Sequence, residues 1–258
     1  MIPVQSIPPS EVPVCAQCRS GQKLDFALRF AFQPIVDIGT RKTVAYEALV
    51  RGPNGEGAAE VLRRVTRQNL YLFDQTCRVE AVRGAARLGM RERLSINFLP
   101  NAVYNPSTCI RTTLSAAREA GFPAAQIIFE MTEGERVQDR PHLVRIIRAY
   151  QKLGFGTAID DFGAGYAGLG LLSGYQPDIL KLDMELVRGI DASAPRQAIF
   201  KGVLGMCADM GVEVLAEGIE TPAERDYLAD AGIRLMQGYL FGRPSLETLG
   251  EIDLRAWA

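Results

Sequence analysis

Beyond about residue 23 the chain alternates between apolar runs of strand length and segments whose apolar residues recur at helical spacing. The helical type is clearest in "PHLVRIIRAYQKLG". Pro141 opens it, Leu143, Ile146, Ile147, Tyr150 and Leu153 form one face, and Gly154 ends it. A strand, "FGTAID", follows. The same helix–glycine–strand step recurs at Gly89, Gly121, Gly211 and Gly232, ahead of "MRERLSINF", "FPAAQIIFEM", "VEVLAEG" and "IRLMQGYLF". A glycine just past a helix supplies the left-handed conformation that turns the chain back. Repeated units of this kind imply parallel strands covered by helices. With about eight strand segments in roughly 230 residues, the predicted fold is an α/β, TIM-type (β/α)8 barrel. One step departs from the rule. "AFQPIVDI" and "TVAYEALVR" are separated only by residues 39–42, too few for a parallel crossover. The barrel is therefore expected to carry one antiparallel strand near its start.

The strands end in polar residues. "TVAYEAL" delivers Glu47, "LSINF" Asn97, "QIIFE" Glu130, and "GTAIDD" Asp160 and Asp161. "ILKLD" delivers Lys181 and Asp183, "VEVLAE" Glu217, and "IRLMQ" Gln237. Taken singly, each is most simply a solvated rim residue or a helix cap. In a barrel, however, these ends meet around one mouth. Carboxylates gathered there repel one another unless protonated or bridged by cations. Oxygen donors without His or Cys suit Mg2+ or Mn2+, and two such ions form a clamp for in-line displacement at phosphorus. Lys181 is suited to position or polarise the attacking water, or to neutralise developing charge. The pattern points to phosphodiester hydrolysis.

Composition narrows the alternatives. A 258-residue chain with 47% apolar residues and a net charge of −1 shows no basic footprint for a nucleic-acid polymer. Its first residues lack a secretory pattern, and no apolar run is long enough to span a bilayer. The expectation is a cytoplasmic protein with no membrane partner. Residues 1–23, rich in Pro and Ser, read as a flexible leader, and residues 24–258 as one domain. The leader carries Cys15-Ala-Gln-Cys18, half a zinc site with no second pair nearby to complete it. Five cysteines argue against a disulfide framework, and Cys77, Cys109 and Cys207 read as small core residues. The single histidine, His142, follows Pro141 at a helix start and is expected to be exposed. Its solitude makes Ser-His-Asp triads and His-rich metal sites hard to build. Residues 163–168 match the dinucleotide fingerprint G-x-G-x-x-G. Asp160 and Asp161 stand where a pyrophosphate would have to approach, so an oxidoreductase reading is set aside.

The ordered set "FQPIVD", "YEALVR", "INF", "FEMTE", "DDFGAGYAGL", "LKLD", "AEGIE" and "QGYLFGRP" resembles the EAL-domain phosphodiesterases, which hydrolyse cyclic-di-GMP to linear pGpG. The resemblance implies that Glu47, Asn97, Glu130 and Asp160 hold one metal ion, and that Asp160, Asp161 and Glu217 surround a second. It implies that Lys181 holds the catalytic water with Gln237 nearby. It places Gln33, Arg51, Asp183, Glu220 and Gln237 toward substrate, with Arg51 a phosphate partner by its chemistry. Glu133 would anchor the loop after Asp161. Glu220 has a plainer alternative, because residues 221–224 read as a helix start with a capping box. Ala164, Ala167 and Gly168 replace hydroxyl residues common in that loop, and Gly52 replaces a frequent aromatic. The alternative function is a non-catalytic cyclic-di-GMP receptor that signals through a protein partner. The resemblance further implies a homodimer, with regulation in trans, through oligomerisation or through the leader.

Overall fold

The computed structural model describes residues 24–103, 105–132, 139–164 and 168–257, and its strands alternate between two buried environments. Outward residues such as Leu94, Ile96, Phe129, Ile159, Leu180, Leu182, Val214 and Met236 join the main core beneath the helices. Inward residues Ile35, Ala45, Ile128, Ala158, Ile179, Leu215 and Leu235 form a separate cluster inside the barrel. Strands buried on both faces carry near-continuous apolar runs, which is why the sequence shows them so plainly.

Strands β1 (Arg29–Asp37) and β2 (Lys42–Arg51) form an antiparallel hairpin. Strands β3 (Arg93–Asn97), β4 (Ile127–Thr132), β5 (Gly156–Phe162), β6 (Ile179–Leu182), β7 (Glu213–Ala216) and β8 (Leu235–Gln237) follow in parallel order. Strand β1 pairs antiparallel with β8 as well as β2 and so closes an eight-stranded barrel with one reversed strand, as expected. A two-residue strand, β9 (Ser245–Leu246), pairs with Ala31 and Phe32 of β1 where β8 no longer reaches. It is too short for any periodicity to reveal it.

The longer helices are α1 (Leu70–Arg87), α2 (Arg111–Glu119), α3 (Arg140–Lys152), α4 (Ala194–Met210) and α5 (Pro222–Asp230). The five turn glycines named from the sequence all have φ between 66° and 97°. In α3, Asp139 caps the N-terminus through the His142 amide, and Leu143, Ile146, Ile147 and Tyr150 are buried. Leu153 departs from the predicted face. It lies past the last helical residue and is 42% exposed, because the chain is already turning toward Gly154. His142 does sit in the first turn, but half-buried, its ring against the Val103 carbonyl. Cys77, Cys109 and Cys207 are buried free thiols. Residues 1–23, with Cys15 and Cys18, lie outside the described residues. No helix among the described residues is long and apolar enough to cross a membrane.

Candidate functional site

Two residues beyond each apolar residue of the inner cluster, on the same face of its strand, the chain turns polar. Ala45 is followed by Glu47, Ile128 by Glu130, Ala158 by Asp160, Ile179 by Lys181, Leu215 by Glu217 and Leu235 by Gln237. On the reversed β1 the same step runs backwards, from Ile35 to Gln33. Parallel strands place all these ends at one mouth, and the reversal of β1 brings Gln33 there too, opposite Glu47 in the hairpin register.

Lys181 stands at the centre, 1% exposed. Its ammonium lies 2.7 Å from Glu217, 2.9 Å from Asp160, 3.0 Å from Glu130 and 3.6 Å from Glu47. Burial alone would lower its pKa, but Asp160, Glu130, Glu217 and Glu47 outweigh burial and hold the ammonium charged. The carboxyl groups are raised as well, which for them favours the neutral form. Burial, reinforced by Glu47 and Asp160 against the opposing pull of Lys181, raises Glu130 to about 8. Burial and the Asp160 charge raise Asp161 to about 6. Burial, against the pull of Lys181, also carries Glu217 well above the ordinary range. One lysine does not compensate so many carboxylates.

Oxygen atoms of Glu47, Glu130 and Asp160 lie within 4.8 Å of one another, and so do those of Asp160, Asp161 and Glu217. Adjacent strand residues point to opposite faces, so Asp160 and Asp161 reach the same mouth only through an irregularity. The β5–β6 register breaks between Ile159 and Phe162, and Asp161 adopts φ 56°, a left-handed conformation uncommon outside glycine. The Asp161 amide then donates to the Asp160 carboxylate at 3.0 Å.

Amides complete the ring. Asn97 donates to Glu47 at 3.0 Å. Gln237 donates to Glu47 at 2.9 Å and to Gln33 at 3.2 Å, and Gln33 donates to the Gly242 carbonyl. The buried Oε1 of Gln237 has no hydrogen-bond partner among the described residues. Arg51 lies farther up β2 on the Glu47 face and bonds the Val50 carbonyl. Asp183 caps the short helix that follows β6 by accepting from the Glu185 amide, and its charge bears on Asp161. Glu220 is set apart. It is exposed on the rim and paired with Arg188 at 2.5 Å, beside the capping box that Thr221 and Glu224 form at the start of α5. Glu133 lies outside the described residues.

The family model for the EAL domain matches residues 22–244. The chain belongs to the EAL family. It superposes on a standalone EAL protein from Vibrio cholerae O395 in its c-di-GMP bound form with a TM-score of 0.87 and 52% identity, covering 90% of this chain and 98% of that one. Klebsiella pneumoniae BlrP1, in a manganese/cy-diGMP complex at pH 9.0, gives a TM-score of 0.83 and 38% identity over 90% of this chain and 59% of that one. The antirepressor BluF of Escherichia coli K12, described as blue light- and temperature-regulated, is 34% identical over 88% of this chain and 56% of its own length. The cyclic di-GMP phosphodiesterase NbdA of Pseudomonas aeruginosa is 29% identical over 90% of this chain and 31% of its own length. The chain thus spans less than two thirds of these curated relatives.

In this EAL domain the mouth suits divalent cations. Its donors are almost all oxygen, two carboxylate groups share Asp160, and Gln237, which donates to Glu47, carries an acceptor unsatisfied among the described residues. The rim is interlocked. Glu224, named from the sequence only as part of a cap, accepts from the Glu220, Thr221 and Gly189 amides and so ties the segments after β6 and β7 together. Ile219 donates to the Gln237 carbonyl and accepts from the Leu240 amide. A side chain on Gly238 would overlap the Ile219 backbone. The sequence also gave no notice of Arg188 as the partner of Glu220, nor of Asp74, which accepts from the Leu99 amide close behind Asn97. The signal available for Asp74 was an Asp-x-x-x-Arg pair on a helix that is otherwise largely apolar on that face.

Proposed function

We propose that the chain is a metal-dependent phosphodiesterase that hydrolyses cyclic-di-GMP to linear 5′-pGpG. The observation that carries this reading is Lys181, buried and charged among Glu47, Glu130, Asp160 and Glu217, in a ring whose carboxyl groups outnumber it and lie close enough to share cations. Glu47, Asn97, Glu130 and Asp160 would hold one Mg2+ or Mn2+ ion and Asp160, Asp161 and Glu217 a second, which supply charge neutralisation at phosphorus and an acidified water. The Lys181 ammonium, unable to lose its proton in this field, orients the water oxygen by donating to it. Glu47 and Glu217 flank it, and the Oε1 of Gln237, unpaired among the described residues, is an acceptor for a proton of that water. Arg51 faces the phosphate. Gln33, Asp183, Glu220 and Gln237 provide polar contacts around the rest of the dinucleotide.

The names borne by relatives support the substrate: NbdA and a Shewanella oneidensis protein, PdeB, are cyclic di-GMP phosphodiesterases, and BlrP1 was solved with manganese and cy-diGMP. The homodimer draws support from Leu169 and Met184, 66% and 42% exposed on the segments following β5 and β6. The test is turnover by purified protein with Mg2+ or Mn2+, products being resolved by chromatography. Linear pGpG that disappears in Glu47→Ala and Lys181→Ala supports the enzyme. Tight binding of cyclic-di-GMP without turnover, under both metals and across protein concentrations, replaces it with the receptor, a role for which the antirepressor BluF offers a precedent by name.

A further inference from the structure

Behind the barrel wall, Asp74 and Arg78 form an ion pair one turn apart on α1, 2% and 0% exposed. Arg78 also donates to the Tyr150 hydroxyl of α3 at 3.1 Å, and its guanidinium lies 5.9 Å from the centre of the Phe129 ring on β4. A buried ion pair is weak evidence for stability, since an apolar pair of similar volume commonly serves as well. Its geometry suggests another use. One Asp74 oxygen accepts from Arg78, and the other accepts from the Leu99 amide at 2.9 Å. Leu99 lies two residues past Asn97, and the intervening Phe98 amide donates to the Glu130 carbonyl at 3.0 Å. The end of β3 is therefore held from one side by the strand that carries Glu130 and from the other by Asp74. Asn97 itself is exposed at the mouth, so its placement depends on the backbone that presents it.

We propose that Asp74, through its hydrogen bond to the Leu99 amide, is a positioning residue for Asn97 and thereby sets the cation affinity of the group formed by Glu47, Asn97, Glu130 and Asp160. The inference rests on the reading of that group as a metal site. Backbone position is the link: a slip of β3 beyond Ile96 would withdraw the amide oxygen of Asn97 while leaving the barrel closed.

Two double variants isolate the hydrogen bond to Leu99. D74L/R78M and D74N/R78M share the loss of the guanidinium, and Leu and Asn are close in size, but only Asn carries an acceptor. Mn2+ binding is measured by titration calorimetry, with the melting temperature recorded alongside. The expected result is an affinity roughly 10-fold or more weaker in D74L/R78M, the usual effect of losing a group that orients a metal ligand. In D74N/R78M the affinity stays within about threefold of the wild type. Equal affinities in the two variants, whether retained or lost together, overturn the proposal. If D74L/R78M does not fold, D74A/R78M, which also lacks the acceptor, takes its place and the comparison with D74N/R78M is read in the same way. A wild-type chain that binds no Mn2+ would instead refute the metal reading of the mouth.

Discussion

Replacing Lys181 by Met keeps an unbranched side chain of similar length and removes the charge together with its N–H donors. The ammonium is 1% exposed and contacts four carboxylates between 2.7 and 3.6 Å. At an effective dielectric of about 20, a contact near 3 Å represents roughly 5–6 kcal/mol of gross attraction. Burying the ammonium offsets most of that, so the net cost should follow the range for removing one partner of a buried pair, about 3–5 kcal/mol. At about 2–4 °C per kcal/mol for a chain of this size, the metal-free melting temperature should fall by roughly 6–20 °C. The measurement is thermal unfolding in EDTA at pH 8 and again at pH 5. The raised folded-state pKa of Lys181 means that its contribution is fully present below its unfolded value near 10.4, so the lysine stays charged throughout this interval. The pH dependence therefore comes from the carboxylates. Glu130 and Asp161, raised to about 8 and about 6, are protonated at pH 5, and the penalty of losing the lysine should be smaller there. Added Mn2+ should recover part of the loss at pH 8, while turnover remains abolished. A variant that melts within about 2 °C of the wild type at pH 8, less than 1 kcal/mol supplies, would refute the electrostatic account. So would a larger penalty at pH 5 than at pH 8.

The same shifts make the metal-free wild type pH-dependent. Between the unfolded carboxylate value near 4.3 and about 8 the folded chain binds more protons than the unfolded one, so these groups lower stability as pH rises through that window. Mn2+ must displace those protons, and its affinity should rise from pH 6 to pH 8 with proton release visible in calorimetry in buffers of different ionisation heat; a flat or falling affinity contradicts the carboxylate site. Gly238→Ala would drive a methyl group into the Ile219 backbone at the seam between the segments after β7 and β8. It should cost about 1–3 kcal/mol in unfolding free energy and reduce turnover by moving Gln237 and Glu217, whereas unchanged stability and turnover would show that the rim yields freely.

Much of this protein was legible in its sequence, for local reasons. Strands buried on both faces read as apolar runs, helix ends carry glycines that turn the chain left-handed, and a four-residue link between two strands permits only a hairpin. The polar residue two positions past each inner apolar residue follows from the strand period alone, and so the mouth residues from Glu47 to Gln237 could be named before any coordinates. What depended on tertiary structure was the set of contacts made between distant segments. Leu153 fits the helical stripe by spacing and leaves it because the helix ends one residue earlier. Asp160 and Asp161 should face opposite ways by period, and converge because the β5–β6 pairing breaks and Asp161 turns left-handed. Glu220 reads as a site residue by the resemblance and as a helix neighbour by its local sequence, and only the fold pairs it with Arg188 on the rim. Asp74 and Arg78 sit in an ordinary helix and gain meaning from Leu99 and Tyr150, which are 25 and 72 residues away from their respective partners. Periodicity fixes which face a side chain occupies, because it is a property of one element. Which partner waits on that face is decided only when the barrel closes.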